Sequence, residues 1–349
     1  MESVKLTDEQ QNAVNYVQKH LKHKRFIAIG GYAGTGKSTC LTELIKLYPK
    51  FLICAFTGKA SNVLRKKGLN AQTIHSTIYN CEKHGDTFYF RLKTPAQLHG
   101  ATGFFVDEAS MVNKDLLKDL ESFGLPIVFL GDHGQLEPVG GYSNIMQKPD
   151  VTLETIHRNA NSIARFADFL RQGNSAINWQ SDDNVKLISK KSLTPDHMLM
   201  FDQIICGFNK TRLSVNNHMR QIYRFDGKPQ KNERIICLKN NKNHMVYNGM
   251  QGKINSIHGK ILTFTTDEGR TISLPIDLNQ FSKEKLLESA EHERNIGFFD
   301  FAYCITCHKA QGDEWDNVLV LEEKTKLWDY TRWAYTAASR ARNLLYWAV

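Results

Sequence analysis

Eight consecutive residues, Gly31-Tyr32-Ala33-Gly34-Thr35-Gly36-Lys37-Ser38, restrict what this chain can become more than any other stretch. They spell GxxxxGKS, and their surroundings decide what that spelling means. An apolar run from Phe26 to Ile29 precedes them. Thr39-Cys40-Leu41-Thr42-Glu43-Leu44-Ile45 follows with helical spacing, so the glycines turn the chain from a buried strand into a helix. In such a turn, successive backbone N–H groups converge, and the helix start adds partial positive charge. The result is a cradle for phosphate oxygens. Gly34, Thr35, Gly36, Lys37, Ser38 and Thr39 are therefore the candidate ATP contacts. Lys37 is placed to reach the β- and γ-phosphates, and the Ser38 hydroxyl to hold Mg2+.

One phosphate cradle does not account for 349 residues, of which 41% are hydrophobic; the chain has the length and the apolar content for two or three domains. Lys and Arg number 45 against 36 Asp and Glu, and the net charge of +9 favours a polyanionic partner such as nucleic acid over a membrane or a basic protein. No apolar run approaches the ~20 residues that span a bilayer. Met1-Glu2-Ser3-Val4-Lys5 opens no secretory segment, so a soluble, cytoplasmic protein is expected. Seven scattered cysteines, an odd number, fit reduced thiols better than a disulfide framework. Cys304-Ile305-Thr306-Cys307-His308 spells the CxxCH of haem attachment, but that chemistry accompanies export, and the reading is set aside.

Taken in order, Thr7 and Gln10 form a capping box at the start of a helix that runs toward Lys24; for Gln10, a cap and an adenine contact both stay open. The strand Phe51–Phe56 delivers Thr57 and Lys59 to the carboxyl edge of a parallel sheet, where ligands sit, and Thr73 and His75 follow on the same edge. Between 79 and 98, turn residues and the β-prone Thr87–Leu92 predict a hairpin insertion. Its Phe88 and Phe90 rings either fill a satellite core or stack on bases. The apolar run ending at Val106 presents Asp107 and Glu108: in P-loop enzymes the first acid binds Mg2+ with the loop hydroxyl, and the second orients and deprotonates the attacking water. A strand Pro126–Leu130 leads into the polar loop Gly131–Val139, a sensor candidate, and Arg158 stands just before a helix over Ser162–Arg171.

The second half repeats the α/β rhythm without a second P-loop. A strand at 203–208 is followed by a loop Asn209–Arg212 and a helix Leu213–Tyr223. Four β-like runs between Asn232 and Pro275 predict a small barrel inserted in this domain, and helical signal covers 282–291. A strand Phe299–Ile305, a helix Leu327–Arg340 and a terminal strand complete the chain. Arg340 is, on this reading, a basic helix end complementing the macrodipole.

In their order, Gln10, the P-loop, Ala55-Phe56-Thr57-Gly58-Lys59-Ala60-Ser61, Thr73-Ile74-His75-Ser76, Val106-Asp107-Glu108-Ala109-Ser110, the Gly131 loop, Ile156-His157-Arg158, Thr306–Gly312 and the run from Tyr335 resemble the superfamily 1B DNA helicases, RecD-like and Dda-like. The resemblance covers nearly the whole chain. It implies two RecA-like domains, 1–157 with the hairpin at about 79–98 and 158–349 with a barrel of the Src-homology-3 type at about 225–297, and ATP with Mg2+ in the cleft between them. It implies that Gln135 senses the γ-phosphate, that Arg158 and Arg340 act as arginine fingers, and that Glu314 contacts ribose. Lys37, Glu108, Gln135, Arg158 and Arg340 are then the catalytic set, with Ser38 and Asp107 on the metal. Single-stranded DNA and tailed duplex are the implied partners, touched by Thr57, Lys59, Thr73, His75, Asn209, Thr306 and His308, with Phe88 and Phe90 in the place of a strand-splitting pin. The implied activity is 5′-to-3′ translocation and unwinding by a monomer in replication, recombination or repair, in a bacterial cytosol or a phage-infected cell, with replication or recombination proteins as possible partners. The alternative is a DNA-stimulated ATPase that translocates or clamps single strands without processive unwinding. The Dda-like pattern carries His where this chain has Gly58.

Overall fold

The computed structural model describes residues 6–84, 87–136, 145–156, 162–287 and 295–349; the side chains of Lys59, Lys242 and residues 81–84 and 87–90 lie outside the description. In the first half, α1 (Asp8–His20) is nucleated by the expected capping box. The Thr7 amide donates to Gln10 Oε1 at 3.1 Å and the Gln10 amide to Thr7 Oγ1 at 3.4 Å, and the helix ends four residues earlier than expected. There follow β1 (Phe26–Gly31), α2 (Lys37–Leu47), β2 (Phe51–Ala55), α3 (Gly58–Lys66), β3 (Ala71–Thr73), the short α4 (Ile74–Ile78), β4 (Tyr79–His84), β5 (Thr87–Leu92), β6 (Gly103–Asp107), α5 (Lys114–Glu121), β7 (Ile127–Gly131) and β8 (Val151–Leu153). β4 and β5 pair antiparallel as a two-stranded ribbon. The remaining six strands form one parallel sheet in the order β3-β2-β6-β7-β1-β8. Buried on both faces, these strands read as continuous apolar runs, as Phe104-Phe105-Val106 and Ile127 to Leu130 do. Gly103 is required where β6 passes β2, because a Cβ there would stand 2.3 Å from the Phe51 ring.

The second half contains α6 (Ser162–Arg171), β9 (Val185–Ile188), α7 (Pro195–Leu199), β10 (Gln203–Cys206), α8 (Asn209–Ile222), β11 (Arg234–Cys237), β12 (Gln251–His258), β13 (Ile261–Thr266), β14 (Thr271–Pro275), β15 (Phe299–Phe301), β16 (Cys304–Thr306), β17 (Trp315–Leu321), α9 (Tyr330–Ala338) and β18 (Ala341–Ala348). β16-β10-β17-β18-β9 make a second parallel sheet, whose core holds Trp333, Trp347, Tyr335 and Phe166. β14-β13-β12-β11-β15 make an antiparallel sheet that curls at one corner, where the Gly297 amide donates to the Pro275 carbonyl at 2.8 Å and Ile276 bridges Gly297. Two expectations fail here. Asn209–Arg212 is the first turn of α8, not a loop, and residues 282–287 of the expected 282–291 helix are non-helical, with Ser282 at φ 60°; residues 288–291 lie outside the described residues. Arg340 lies beyond the end of α9, whose C-cap is Ser339. Among the described residues no helix is long and apolar enough to cross a membrane.

Candidate functional site

The parallel sheet of the first half puts the loops after β1, β6 and β7 side by side at its carboxyl edge. After β1, Gly34 and Gly36 take φ 82° and 85°, a conformation that costs other residues a clash, and Gly36 caps α2. The Lys37 ammonium donates to the Gly31 carbonyl at 2.6 Å and the Tyr32 carbonyl at 3.0 Å, so it lies within the curl of the loop. Thr35 is buried and closes the turn, with its hydroxyl donating to Tyr32 O at 2.8 Å. Gln10 serves both the helix and this loop: besides its capping role, its Nε2 donates to the Thr35 carbonyl at 3.2 Å. Ser38 and Thr39 occupy the first turn of α2 behind the loop.

After β6 come the two carboxylates. The Glu108 amide donates to Asp107 Oδ1 at 3.0 Å, and Glu108 stands at φ 54°, ψ 40°, a left-handed conformation uncommon for a residue with a side chain. Burial pushes the Asp107 carboxyl up, and Lys37 draws it partly back. Burial, then the Asp107 charge, push Glu108 up to about 7, while Arg340 and Lys37 pull against them. Glu108 thus feels a cation of each half, whereas Asp107 feels Lys37 and Lys67, both of the first half. Two adjacent, partly buried carboxylates beside a phosphate loop suit a divalent cation, and the loop, ammonium and hydroxyl suit a nucleotide triphosphate.

After β7, Asp132 is buried and holds its own loop. It accepts from the Gly134 amide at 2.9 Å and from Gln135 Nε2 at 3.2 Å. Gln135 Oε1 is buried without a hydrogen-bond partner. The second half closes over this edge. Tyr335 Oη accepts from the Ala33 amide at 2.7 Å and donates to Asp132 Oδ2, and the Leu136 amide donates to Thr336 Oγ1 at 2.8 Å. Gln311 Nε2 donates to the Leu136 carbonyl, and Arg332 Nη1 to the Gln135 carbonyl at 3.3 Å. The Arg171 guanidinium lies 3.8 Å from the centre of the Tyr32 ring. Arg340 is buried and held by the carbonyls of Thr336 at 2.9 Å and Asp313 at 3.1 Å, with Ser339 Oγ at 2.8 Å. Glu314 is exposed, pairs with Arg342 Nε at 3.0 Å, and its charge is felt by both Asp107 and Glu108. Arg158 lies outside the described residues.

Apart from Phe88 and Phe90, the other candidates stand at or after the carboxyl ends of β2, β3, β10 and β16. Thr57 caps α3 and its hydroxyl donates to the Gly312 carbonyl of the second half at 3.2 Å; Thr73 caps α4. The His75 ring packs between those of Tyr79 and Tyr247, at 5.7 and 5.1 Å. A Cβ on Gly58 would stand 3.2 Å from Glu268 Oε1, so an exposed turn of the antiparallel sheet covers this stretch closely. Asn209 is exposed at the start of α8 and lines a pocket with Arg212, Lys283, Lys285 and Lys309. Thr306 is buried, and burial pushes the His308 imidazole below its ordinary value. Of Lys59, Phe88 and Phe90, only the backbone is within the description. Sequence reasoning passed over Tyr335, Asp132, Arg171 and the three pocket lysines. Tyr335 and Asp132 stood inside stretches already singled out, but nothing local says that side chains 203 residues apart meet there.

Comparison with known proteins bears on the family and the fold. Residues 5–189 match the family model of an AAA domain, and residues 301–347 that of the UvrD-like helicase C-terminal domain. The ATP-dependent RecD2 DNA helicase of Deinococcus radiodurans is 25% identical over 377 aligned positions, covering 97% of this chain and 48% of its own, so the chain spans about half the length of that relative. Among solved structures, two coordinating Pif1 helicases at forked double-stranded DNA give a TM-score of 0.56 at 21% identity, covering 99% of this chain and 92% of theirs. Bacteroides Pif1 bound to single-stranded DNA gives 0.53 at 19% identity, over 99% and 93% of the two chains. Candida albicans Pif1 gives 0.50 at 19% identity, over 99% and 94%. At such identities these structures carry the fold.

Proposed function

Because this chain belongs to the superfamily 1 helicases of the RecD/Pif1-like group, we propose that it is an ATP-dependent DNA helicase that moves 5′ to 3′ on single-stranded DNA and unwinds duplex. One observation supports the reading most: Glu108, next to Asp107 at the end of β6, is influenced by Lys37 from one half of the molecule and by Arg340 from the other. A cleft of that composition changes chemically when its halves separate, and this is what couples turnover to movement.

Within the cleft, Lys37 leaves its carbonyls for the β- and γ-phosphates, and the P-loop amides hold the remaining oxygens. Ser38 and Asp107 would hold Mg2+, which with ATP would supply the phosphoanhydride to be cleaved and a positive charge offsetting the two acids. Glu108 orients a water and takes its proton, Gln135 positions that water or the γ-phosphate, and Arg340, with Arg158, offsets developing negative charge. Gln10 sets the Thr35 turn, with the base as a second partner, and Glu314 contacts ribose. Thr57, Lys59, Thr73 and His75 from the first half, with Asn209, Thr306 and His308 from the second, contact one DNA strand. Phe88 and Phe90 act at the fork. The protein works in the cytoplasm as a monomer, with replication, recombination and repair as its settings.

The test is strand displacement on matched duplexes with a 5′ or a 3′ single-stranded tail, with Mg2+-ATP and a Lys37→Ala control. Displacement only from the 5′ tail, absent in the control, is expected. Displacement only from the 3′ tail overturns the direction, and DNA-stimulated hydrolysis without displacement replaces the helicase with a translocase or clamp.

A further inference from the structure

Tyr335 is fully buried, and its hydroxyl sits where the P-loop, the loop after β7 and the last helix meet. A phenol has a single proton. The Ala33 amide can only donate, so the Tyr335 oxygen accepts there, and its proton goes to Asp132 Oδ2. Burial and the Asp132 charge push this phenol far above its ordinary range, which keeps the proton in place. Asp132 in turn accepts from Gln135 Nε2 at 3.2 Å. A continuous chain thus runs from the phosphate loop through Tyr335 and Asp132 to the amide of Gln135.

The same helix reaches the cleft by a second route. Thr336 accepts the Leu136 amide through its hydroxyl at 2.8 Å and the Arg340 Nε through its carbonyl at 2.9 Å. The residues that meet the P-loop, the β7 loop and Arg340 are therefore neighbours on one turn of α9. We propose that Tyr335 is a positioning residue for hydrolysis: through its hydroxyl it sets Gln135 relative to the P-loop whenever α9 is seated, so that the sensor side chain is in place only in the closed cleft. The proposal rests on the ATPase reading of the cleft. It assigns the hydroxyl, and not the ring, to turnover; the ring fills the core of the second half beside Trp333 and Trp347.

Tyr335→Phe keeps the ring and removes only the bridge. In a DNA-stimulated ATPase assay, kcat is expected to fall about 10- to 100-fold, the range set by losing a hydrogen bond to a charged group, with KM for ATP nearly unchanged. Asp132→Ala is expected to lower kcat similarly, and the double variant is expected to be no worse than the poorer single one. The same non-additivity is expected in the thermal midpoints of the nucleotide-free proteins, which reads the bridge without turnover. Wild-type kcat in Tyr335→Phe, or losses that simply add, overturn the proposal, as does a loss in which KM rises in step with the fall in kcat. Wild-type protein that hydrolyses no ATP removes the ATPase reading, whereas active wild type matched by Tyr335→Phe removes only the role of Tyr335.

Discussion

Glu108 bears two costs at one position: a left-handed backbone and a carboxyl pushed up to about 7 by burial and by Asp107. Below the ordinary carboxyl range both folded and unfolded chains hold the proton, and the group is neutral in its effect on stability. From about 4.5 to about 7 the unfolded chain ionises while the folded one resists, so the folded state loses ground as pH rises, and above 7 the penalty is complete. Glu108→Gln removes the ionisation and keeps the shape. In metal-free buffer the variant should unfold at a higher temperature than wild type at pH 8, by on the order of 1 kcal/mol, and match it at pH 4. Equal melting temperatures at pH 8 would refute this account of the site. Glu108 was visible in the sequence as the second acid of an Asp-Glu pair at a strand's end. Its backbone angle was not, because the turn that bends it is decided by packing after β6.

At the scale of elements, α8 inverts the usual pattern of an amphipathic helix. Arg212, Asn216 and Arg220 recur every four residues, which reads as a solvated stripe, yet all three are buried. Each is answered by a partner far along the chain. Arg212 pairs with Asp300, Arg220 Nε meets Glu233 Oε1 at 2.6 Å, and Asn216 takes the Cys304 amide at 2.8 Å while donating to the carbonyls of Phe301 and Cys304. These contacts fix the antiparallel sheet, β11 to β15, against the second parallel sheet. Removing one partner leaves a charge buried alone, so Glu233→Ala should cost about 3–5 kcal/mol in urea denaturation, whereas Arg220→Met with Glu233→Leu should recover most of it. A double variant as unstable as the single one would contradict this. The strands and helices around the cleft were legible because each is a strand-loop-helix unit closed over a few residues. The polar face of α8 and the three- and four-residue edge strands β8 and β9 were not, since what makes them is a partner outside the helix, up to 88 residues away, or a neighbouring strand's free edge.

For the whole molecule, a nucleotide bound as proposed would touch both halves, so it should stabilise them together. A non-hydrolysable ATP analogue with Mg2+ at a hundredfold excess over its dissociation constant should add about 2.7 kcal/mol, and chelating the metal, or the Asp107→Asn change, should remove most of the gain. An analogue that shifts the thermal midpoint equally with and without Mg2+ would show that Ser38 and Asp107 do not hold the ion. The repeated α/β rhythm suggests two halves divided at 157/158, while Leu136 leaves β7 of the first sheet and lies buried among the core residues of the second half, next in line to the Thr336 and Gln311 contacts. Interior and chain order therefore disagree about where one half stops. Separated fragments would each lack part of their own interior: the first would carry a bare leucine and the second a matching vacancy. Expressed apart, they should be poorly soluble; expressed together, they should find each other without nucleotide or DNA, as a split protein that reassembles on its own.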